Sequence, residues 1–452
     1  MFDHHVGDPV PAEYNHNSKP RLRNRFDTMN ILVTDYHCAS NRGDAAILEG
    51  ELAALREEFP RAEFTVMTEY PDAAKAIHGI DAVQQRLVPF ETSRVIKNGA
   101  VAYALLDATV RGKGVRLPLG KYLGDRLDLQ PYYETDLVIS TGGHHLTDIY
   151  MPDKLGILSE FSLCKRLDKP VVLYAHTLGP FGNTRLSPVI RRVLNSVDLI
   201  TTREEVSVTH LERLGIDDVP IRSLTDAAFS MPLESDEKES LPFKDGNQFE
   251  HLDVTKSETN GLRVSISVRN WAHFGSGSEQ AYFEAVAETA DWLIDEHDAH
   301  VLFASTCTGL DSYHKDDRLA AQEVMDEMDE RNRRSVSLLA CEYTPRQLAE
   351  IYGEMDLHIG TRMHSVILAM LAGTVPVPIG YQFKTRGTMA LFDLEEHVLD
   401  IDRLNASRLQ RRVSETLDNR DDIAEQIGRT LPDVEEMSRA NARLIREHVD
   451  IR

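Results

Sequence analysis

An arginine and a histidine two residues apart, Arg362 and His364, lie in the run MDLHIGTRMHSVILAMLAGTVPVPIGY at residues 355–381. A guanidinium offers a planar fork to a phosphate or carboxylate. An imidazole moves protons near neutral pH. The surrounding pattern predicts where the pair stands. Residues 355–359 read as a short apolar strand, 360–361 as a turn, 363–371 as an apolar helix ended by Gly373, and 375–379 as the next buried strand. The pair therefore falls where a strand feeds a helix, beside the free N–H groups of the helix start, that of Met363 among them. Open α/β sheets put their ligands at such places. A surface cap by Arg362 and a satisfied core histidine is the plainer reading of the triplet alone; the strand–turn–helix context favours an anion site.

Other reactive side chains fall at comparable positions. Asn41, Arg42, Gly43 and Asp44 follow a strand at 31–35, and Asp44 is expected to cap the helix that comes next. Gly142 and Gly143 follow a strand at 136–140 and leave room for a ligand against backbone amides. His144, His145 and Asp148 come directly after them. No further ligand stands at metal-binding spacing from these three, so no metal is expected. Asp226 ends the run SLTD as a cleft carboxylate or a turn former. Arg269 closes a strand at 262–268, and Lys384 and Arg386 follow the strand at 375–379.

The elements that must position these groups alternate, strand with helix, through two stretches of chain. That alternation predicts parallel, doubly wound sheets. Residues 1–28 lack periodicity and are expected to be a disordered tail; Met29 directly precedes a strand and is an alternative start of translation. The first α/β domain is expected at 29–231. An acidic, Ser- and Lys-containing linker or insertion occupies 232–261, the second α/β domain 262–400, and C-terminal helices 401–452.

At 452 residues, two cores are the natural expectation. Fifty basic residues stand against 73 acidic ones, a net charge of −23 that disfavours a nucleic-acid partner. Four scattered cysteines without C-x-x-C spacing read as reduced thiols of a cytoplasmic protein. No apolar run has the length of a membrane span. Residues 86–126 run against the acidic balance, with eight basic and three acidic residues. Read most simply they are a solvated flank; the other reading is peripheral contact with anionic lipid at the inner face of the membrane, with Val95, Ile96, Ala100, Tyr103 and Leu106 as the apolar face.

The stretch GTRMHSVILAMLAGTVPVPIGYQFKTRG, residues 360–387, resembles the signature of the polysaccharide pyruvyl transferases. The Asn-x-Gly-Asp loop at 41–44, the Gly142–Gly143 loop, the Gly-Pro turn in HTLGPFG at 176–182, the Arg203–Glu204 pair and the Asp-x-Ala-Phe segment at 226–229 resemble further motifs of that family. Two departures stand out. His144 replaces a third glycine, and His176 and Thr177 replace smaller or polar residues. The resemblance spans about residues 29–392. It implies a GT-B-like α/β fold of two Rossmann-like domains facing a cleft. It also implies phosphoenolpyruvate as co-substrate, no cofactor, and a glycan or lipid-linked sugar as acceptor. Under it, Arg269, Arg362, the Met363 backbone, Lys384 and Arg386 are expected to hold the donor, with His364 as the acid. Gly142, Gly143, His144, His145, Asp148 and Asp226 are expected on the acceptor side. Asp44 is a candidate base, with Asp148 and Asp226 as alternatives. Two rivals stay open: a GT-B glycosyltransferase using a nucleotide sugar, although no acidic residue after Gly373 suggests itself for ribose hydroxyls, and a non-catalytic glycan-binding protein.

Overall fold

The computed structural model describes residues 29–84, 94–111, 129–148, 151–182, 186–233, 261–309, 316–339 and 343–451. The expected tail at 1–28, nearly all of the linker at 232–261, and residues 86–93 and 112–126 of the basic segment lie outside them.

The first half runs β1 (Asn30–Tyr36), α1 (Arg42–Glu58), β2 (Glu63–Thr68), α2 (Pro71–His78), β3 (Asp81–Gln84), α3 (Arg94–Arg111), α4 (Gln130–Glu134), β4 (Leu137–Ser140), α5 (Met151–Arg166), β5 (Val171–His176), α6 (Ser187–Leu194), β6 (Leu199–Thr202), α7 (Glu205–Leu214) and β7 (Ile221–Ser223). A 3-10 turn, Ala227–Ser230, follows. The strands pair in the order β3-β2-β1-β4-β5-β6-β7, all parallel. Central strands such as LVIS and VVLYAH are buried at every position, as both-sided helix cover demands.

The second half runs β8 (Arg263–Ser267), α8 (Glu279–His297), β9 (His300–Ala304), α9 (Asp317–Glu327), β10 (Val336–Leu339), α10 (Pro345–Gly353), β11 (Leu357–Gly360), α11 (Met363–Leu371), β12 (Pro376–Gly380), α12 (Phe383–Ala390) and β13 (Leu399–Asp400). Its parallel sheet has the order β10-β9-β8-β11-β12-β13. The chain is thus α/β with two doubly wound sheets, as the alternation predicts. Each order reverses once, at β1/β4 and at β8/β11, and the crevices beyond those strand ends are where such sheets take ligands.

Two further helices close the chain. α13 (Ala406–Asp418) packs on α8, and α14 (Arg420–His448) crosses back onto α1 and the 3-10 turn. Ser438 Oγ of α14 donates to Asp226 O at 2.9 Å. α1 can approach the same turn because of Gly50, where a Cβ would run into the Ala227 carbonyl. Backbone bonds also cross the joint: Arg42 N donates to Thr306 O at 2.7 Å and Thr308 N to Ser40 O at 3.0 Å. Ile47 and Leu48 of α1 share one apolar core with Val366 and Ile367 of α11.

In α3, Ala104 and Ala108 are buried and Val101 and Leu105 pack against the core, whereas Leu106 is 55% exposed. Of the apolar face named from sequence for the lipid reading, Leu106 is exposed and Tyr103 is half-buried on that core; the side chains of Val95, Ile96 and Ala100 lie outside the described residues. Among the described residues no helix is long and apolar enough to cross a membrane.

Candidate functional site

The Arg362 turn is held from below by a buried polar network. His358 of β11 is fully buried, and burial pushes its imidazole down to about 3, so the ring is neutral. Ser365 Oγ donates to Arg362 O at 2.7 Å. With its proton so used, it accepts from His358 Nε2 at 2.8 Å and from Ser267 Oγ at 2.6 Å. His358 Nδ1 then accepts from Ser265 Oγ at 2.8 Å. Thr361 Oγ1 is bonded to Tyr282 Oη at 2.8 Å. Every member is partnered, which is what lets such a network hold a turn in one conformation. α11 begins at Met363, as its pattern predicts, with Arg362 in the N-cap position. The Met363 side chain is buried.

Arg362 is nearly buried, and its fork grips Asp317 at the start of α9: Nε to Oδ2 at 2.8 Å and Nη2 to Oδ1 at 2.5 Å. Burial alone would lower its affinity for a proton, but Asp317 carries it well above the ordinary value. The guanidinium expected to meet a ligand thus already has a carboxylate, and its visible work is to tie the turn to α9. Sequence reading missed Asp317; its only signal was an Asp-Asp pair opening a helix.

The open cations gather one strand further along. Arg269, just past β8, donates from Nη1 to Tyr381 Oη at 2.6 Å, and its guanidinium lies 4.6 Å from the Tyr381 ring and 5.2 Å from that of Trp271. Lys384 Nζ lies 5.7 Å from the Tyr381 ring. Burial pulls Lys384 below its usual range, partly offset by Tyr381. Tyr381, the residue after β12, stacks on Trp271 with centroids 4.5 Å apart. Burial would push its phenol up, but Lys384, Arg269 and Arg362 together bring it down to about 7. Arg386 is not part of this group. It is exposed and donates to the carbonyls of Glu395 at 2.8 Å and Val398 at 3.3 Å.

His364 stands one turn edge away, at the joint between the two sheets. Its Nε2 lies 3.4 Å from Asp226 Oδ2, and only 13% of its side chain is exposed. Its other edge rests on α1 at Gly43, where a Cβ would come within 2.8 Å of Cγ. Two motifs far apart in sequence therefore meet, and the glycine of the first is what admits the histidine of the second. Asp226 is buried; it caps the 3-10 turn through Ala228 N at 3.0 Å and accepts from Arg203 Nη1 at 2.5 Å. Burial opposes its charge, but Arg203 and His364 hold its carboxyl well below the usual range. Arg203 Nε also donates to Thr177 Oγ1 at 2.6 Å, and Thr177 donates to Glu204 Oε2 at 3.0 Å. Arg203 and Glu204 are thus parts of one buried chain that orients Asp226, not a simple helix-start pair, and Thr177 finds its use there.

Asp44 does not cap α1. Asn41 does, its side chain accepting from Gly43 N at 3.1 Å, because the helix starts at Arg42 and so places Asp44 inside the first turn. Asp44 lies toward Tyr36 and Cys38, whose ionisation its charge opposes after burial itself.

On the first-sheet side, Gly142 packs against the carbonyls of Tyr174 and Ala175. Behind it, Glu51 of α1 is fully buried and accepts from Thr141 Oγ1 at 2.6 Å; burial pushes its carboxyl up to about 8. His144 and His145 part company. His144 Nε2 donates to Gly179 O at 2.9 Å, and its ring meets Phe383 of α12 edge-on at 6.0 Å. Burial, with Lys384 next, lowers His144 to about 4. His145 lies under Gly143 and meets His176 edge-on at 6.3 Å. Asp148 accepts from Gly182 N and so organises the Gly-Pro loop. The phenyl ring of Phe383 and the close approach of Gly387 to Glu204 set α12 against this side of the cleft. A separate surface pocket runs along α6 from Ser187 to Asn195 and is closed by Leu214 of α7 and Asp218.

Known proteins resemble this chain to different depths, some in sequence and others in fold alone. The sequence pattern of the family described as polysaccharide pyruvyl transferase matches residues 41–382. The amylovoran biosynthesis protein AmsJ of Erwinia amylovora is 30% identical over 420 residues, 89% of this chain and 95% of its own. Among solved structures, a glycosyltransferase from Rickettsia africae superposes with a TM-score of 0.55 at 11% identity, covering 94% of this chain and 99% of its own. Anabaena HepE, solved with UDP-glucose, superposes with a TM-score of 0.52 at 13% identity, covering 93% and 98%. At such identities the likeness is one of fold, and the fold is GT-B-like.

Proposed function

The chain belongs to the polysaccharide pyruvyl transferase family, and we propose that it moves a pyruvyl group from phosphoenolpyruvate onto two hydroxyls of one sugar, in a polysaccharide or lipid-linked glycan, as a cyclic ketal with release of phosphate. The observation that carries this reading is the cation cluster at the second sheet's strand ends. Arg269 and Lys384 stand there beside the free N–H groups of α11, facing a joint that holds His364 against Asp226. A donor with a phosphate and a carboxylate on one small frame needs several positive groups in a sheltered crevice. Arg362 serves that site by fixing the turn to Asp317, and the Met363 amide contributes from the helix start.

Catalysis needs two proton-moving groups, one serving the enol carbon and one the attacking hydroxyl. His364, backed by the Asp226 carboxylate, is one of them. The acceptor enters from the first sheet's side of the joint, near His144; the room that Gly142 and Gly143 leave, expected from sequence to take a ligand, is taken instead by the Tyr174 and Ala175 carbonyls and the His145 ring. AmsJ, named for amylovoran biosynthesis, supports a polysaccharide as the acceptor. No cofactor is required by this chemistry.

The deciding experiment incubates the protein with a glycan extract, lipid-linked and polymeric, from cells deleted for this gene. Phosphoenolpyruvate is supplied in one arm and UDP-sugars in the other. Phosphate release with a gain of pyruvyl mass on the glycan is the expected result. UDP release with no turnover of phosphoenolpyruvate would refute the reading in favour of a glycosyltransferase.

A further inference from the structure

Tyr381 stands at the centre of the cation cluster, its hydroxyl bonded to Arg269 Nη1 at 2.6 Å and its ring beside Arg269 and Lys384. We propose that Tyr381 is a catalytic residue of this site, whose phenol delivers a proton to the methylene carbon of the enol donor, while His364 takes the proton of the attacking hydroxyl. The inference rests on the phosphoenolpyruvate reading above and deepens it.

The geometry carries it. Tyr381 leaves the carboxyl end of β12, beside β11, and so stands with Arg269 and Arg362 at the switch point of the second sheet. Its oxygen accepts from Arg269 Nη1 at 2.6 Å, which leaves its own O–H free to point elsewhere. Its ring is clamped between Trp271 and the two cations, so the hydroxyl is held in place. The loop that carries Trp271 is itself pinned, Trp271 N donating to Glu279 Oε1 at 2.7 Å. The charged groups around the phenol are Arg269 beyond β8, Lys384 of α12, and Arg362 with Asp317 of α9 on its fork. They stabilise the phenolate left after transfer. The lowering of the phenol to about 7, against the push of burial, agrees with that role.

The steps balance. The Tyr381 O–H bond breaks and a C–H bond forms at the methylene, using the enol π electrons; the adjacent carbon becomes electrophilic. A sugar oxygen bonds to that carbon and its proton passes to His364. The C–O bond to phosphate then breaks, and the phosphate leaves with the proton from His364. The second hydroxyl closes the ketal and returns its proton to the Tyr381 phenolate. Both catalytic groups end as they began. This assignment gives His364 the base role in place of the acid role expected from the family resemblance. It fits the placement of each group: Tyr381 lies among the donor's cations, and His364 at the joint facing the other sheet.

The test uses Tyr381→Phe in the full-length protein. Phosphoenolpyruvate binding, followed by the fluorescence of Trp271 on which the ring stacks, should stay within about threefold of wild type, which also reports an intact fold. Phosphate release with the deletion-strain glycan extract should fall by roughly 10²-fold or more. An acid must be protonated, so wild-type kcat/KM should decline above about pH 7. Installing 3,5-difluorotyrosine, a more acidic phenol, at position 381 should move that decline to lower pH, a shift that a merely structural ring would not produce. Near-normal turnover by Tyr381→Phe, or a decline that stays put on fluorination, overturns this assignment while leaving the donor reading intact. Wild-type protein that neither binds phosphoenolpyruvate nor releases phosphate from it overturns both.

Discussion

Replacing Asp226 with Asn tests whether the buried chain from Glu204 to His364 works as one unit. The change keeps the shape and the acceptor for Ala228 N, but removes the charge. Arg203, only 3% exposed, loses a partner 2.5 Å away and keeps Glu204 at 3.7 Å and the Thr177 hydroxyl. Stranding one member of a buried pair costs about 3–5 kcal/mol. The remaining carboxylate offsets part of that, so a loss of about 2–4 kcal/mol is expected, read from denaturant midpoints. The pH dependence has a definite sign. A carboxyl held below its unfolded value stabilises above that unfolded value and loses the contribution as pH falls through the folded one. The gap between wild type and Asp226→Asn should therefore be full at pH 6 and narrow below about pH 4. Turnover should fall by roughly 10²-fold or more, since His364 loses the group that orients it. In His364→Ala, which should itself lose turnover while binding phosphoenolpyruvate, adding Asp226→Asn should cost little more. Fully additive losses across that cycle would refute the claim that the two act together.

Two further outcomes follow from close packing and from burial. Gly43→Ala places a methyl within 2.8 Å of the His364 ring, so the ring must shift from Asp226. Turnover is expected to drop by at least about tenfold, and unchanged turnover would show that the ring's seat does not matter. Glu51→Gln should act on stability and in a pH-dependent way. The folded protein keeps a proton on Glu51 up to about pH 8 that the unfolded chain sheds near pH 4.5, so stability declines as pH rises between those values. The neutral variant lacks that slope. It should match wild type at pH 5 and exceed it at pH 9 by at most about 5 kcal/mol; parallel midpoints at both values would mean Glu51 is already solvated.

What could be read from the sequence, and what could not, divides along a physical line. Alternating apolar runs betray buried strands and helices because their period is local, and both sheets and the α11 boundaries follow from it. Caps are local too, but the choice between Asn41 and Asp44 turned on where the first helical turn begins, a matter of one or two residues. The partners of buried charges are another matter. Arg362 meets Asp317 across 45 residues of sequence, and Arg203 meets Asp226 across 23, and nothing in either segment announces the other. Spacing finds a guanidinium at a strand end without telling whether its fork is empty. That difference decides the site. With Arg362 satisfied by Asp317, its fixed charge still acts on Tyr381 from beside it, and on the proposed reading the donor falls to Arg269 and Lys384. Tyr381, to which the sequence reading gives no role, thereby becomes the centre of the positive field. The same reasoning predicts an asymmetry between the arginines. Removing Arg269 should weaken donor binding directly. Removing Arg362 should instead free Asp317, 4% exposed, to oppose the donor's charge, so Arg362→Ala should be partly rescued by a second change, Asp317→Asn. Rescue of phosphoenolpyruvate affinity in the double variant is the expected result, and a double variant as weak as the single one would mean that Arg362 touches the donor itself.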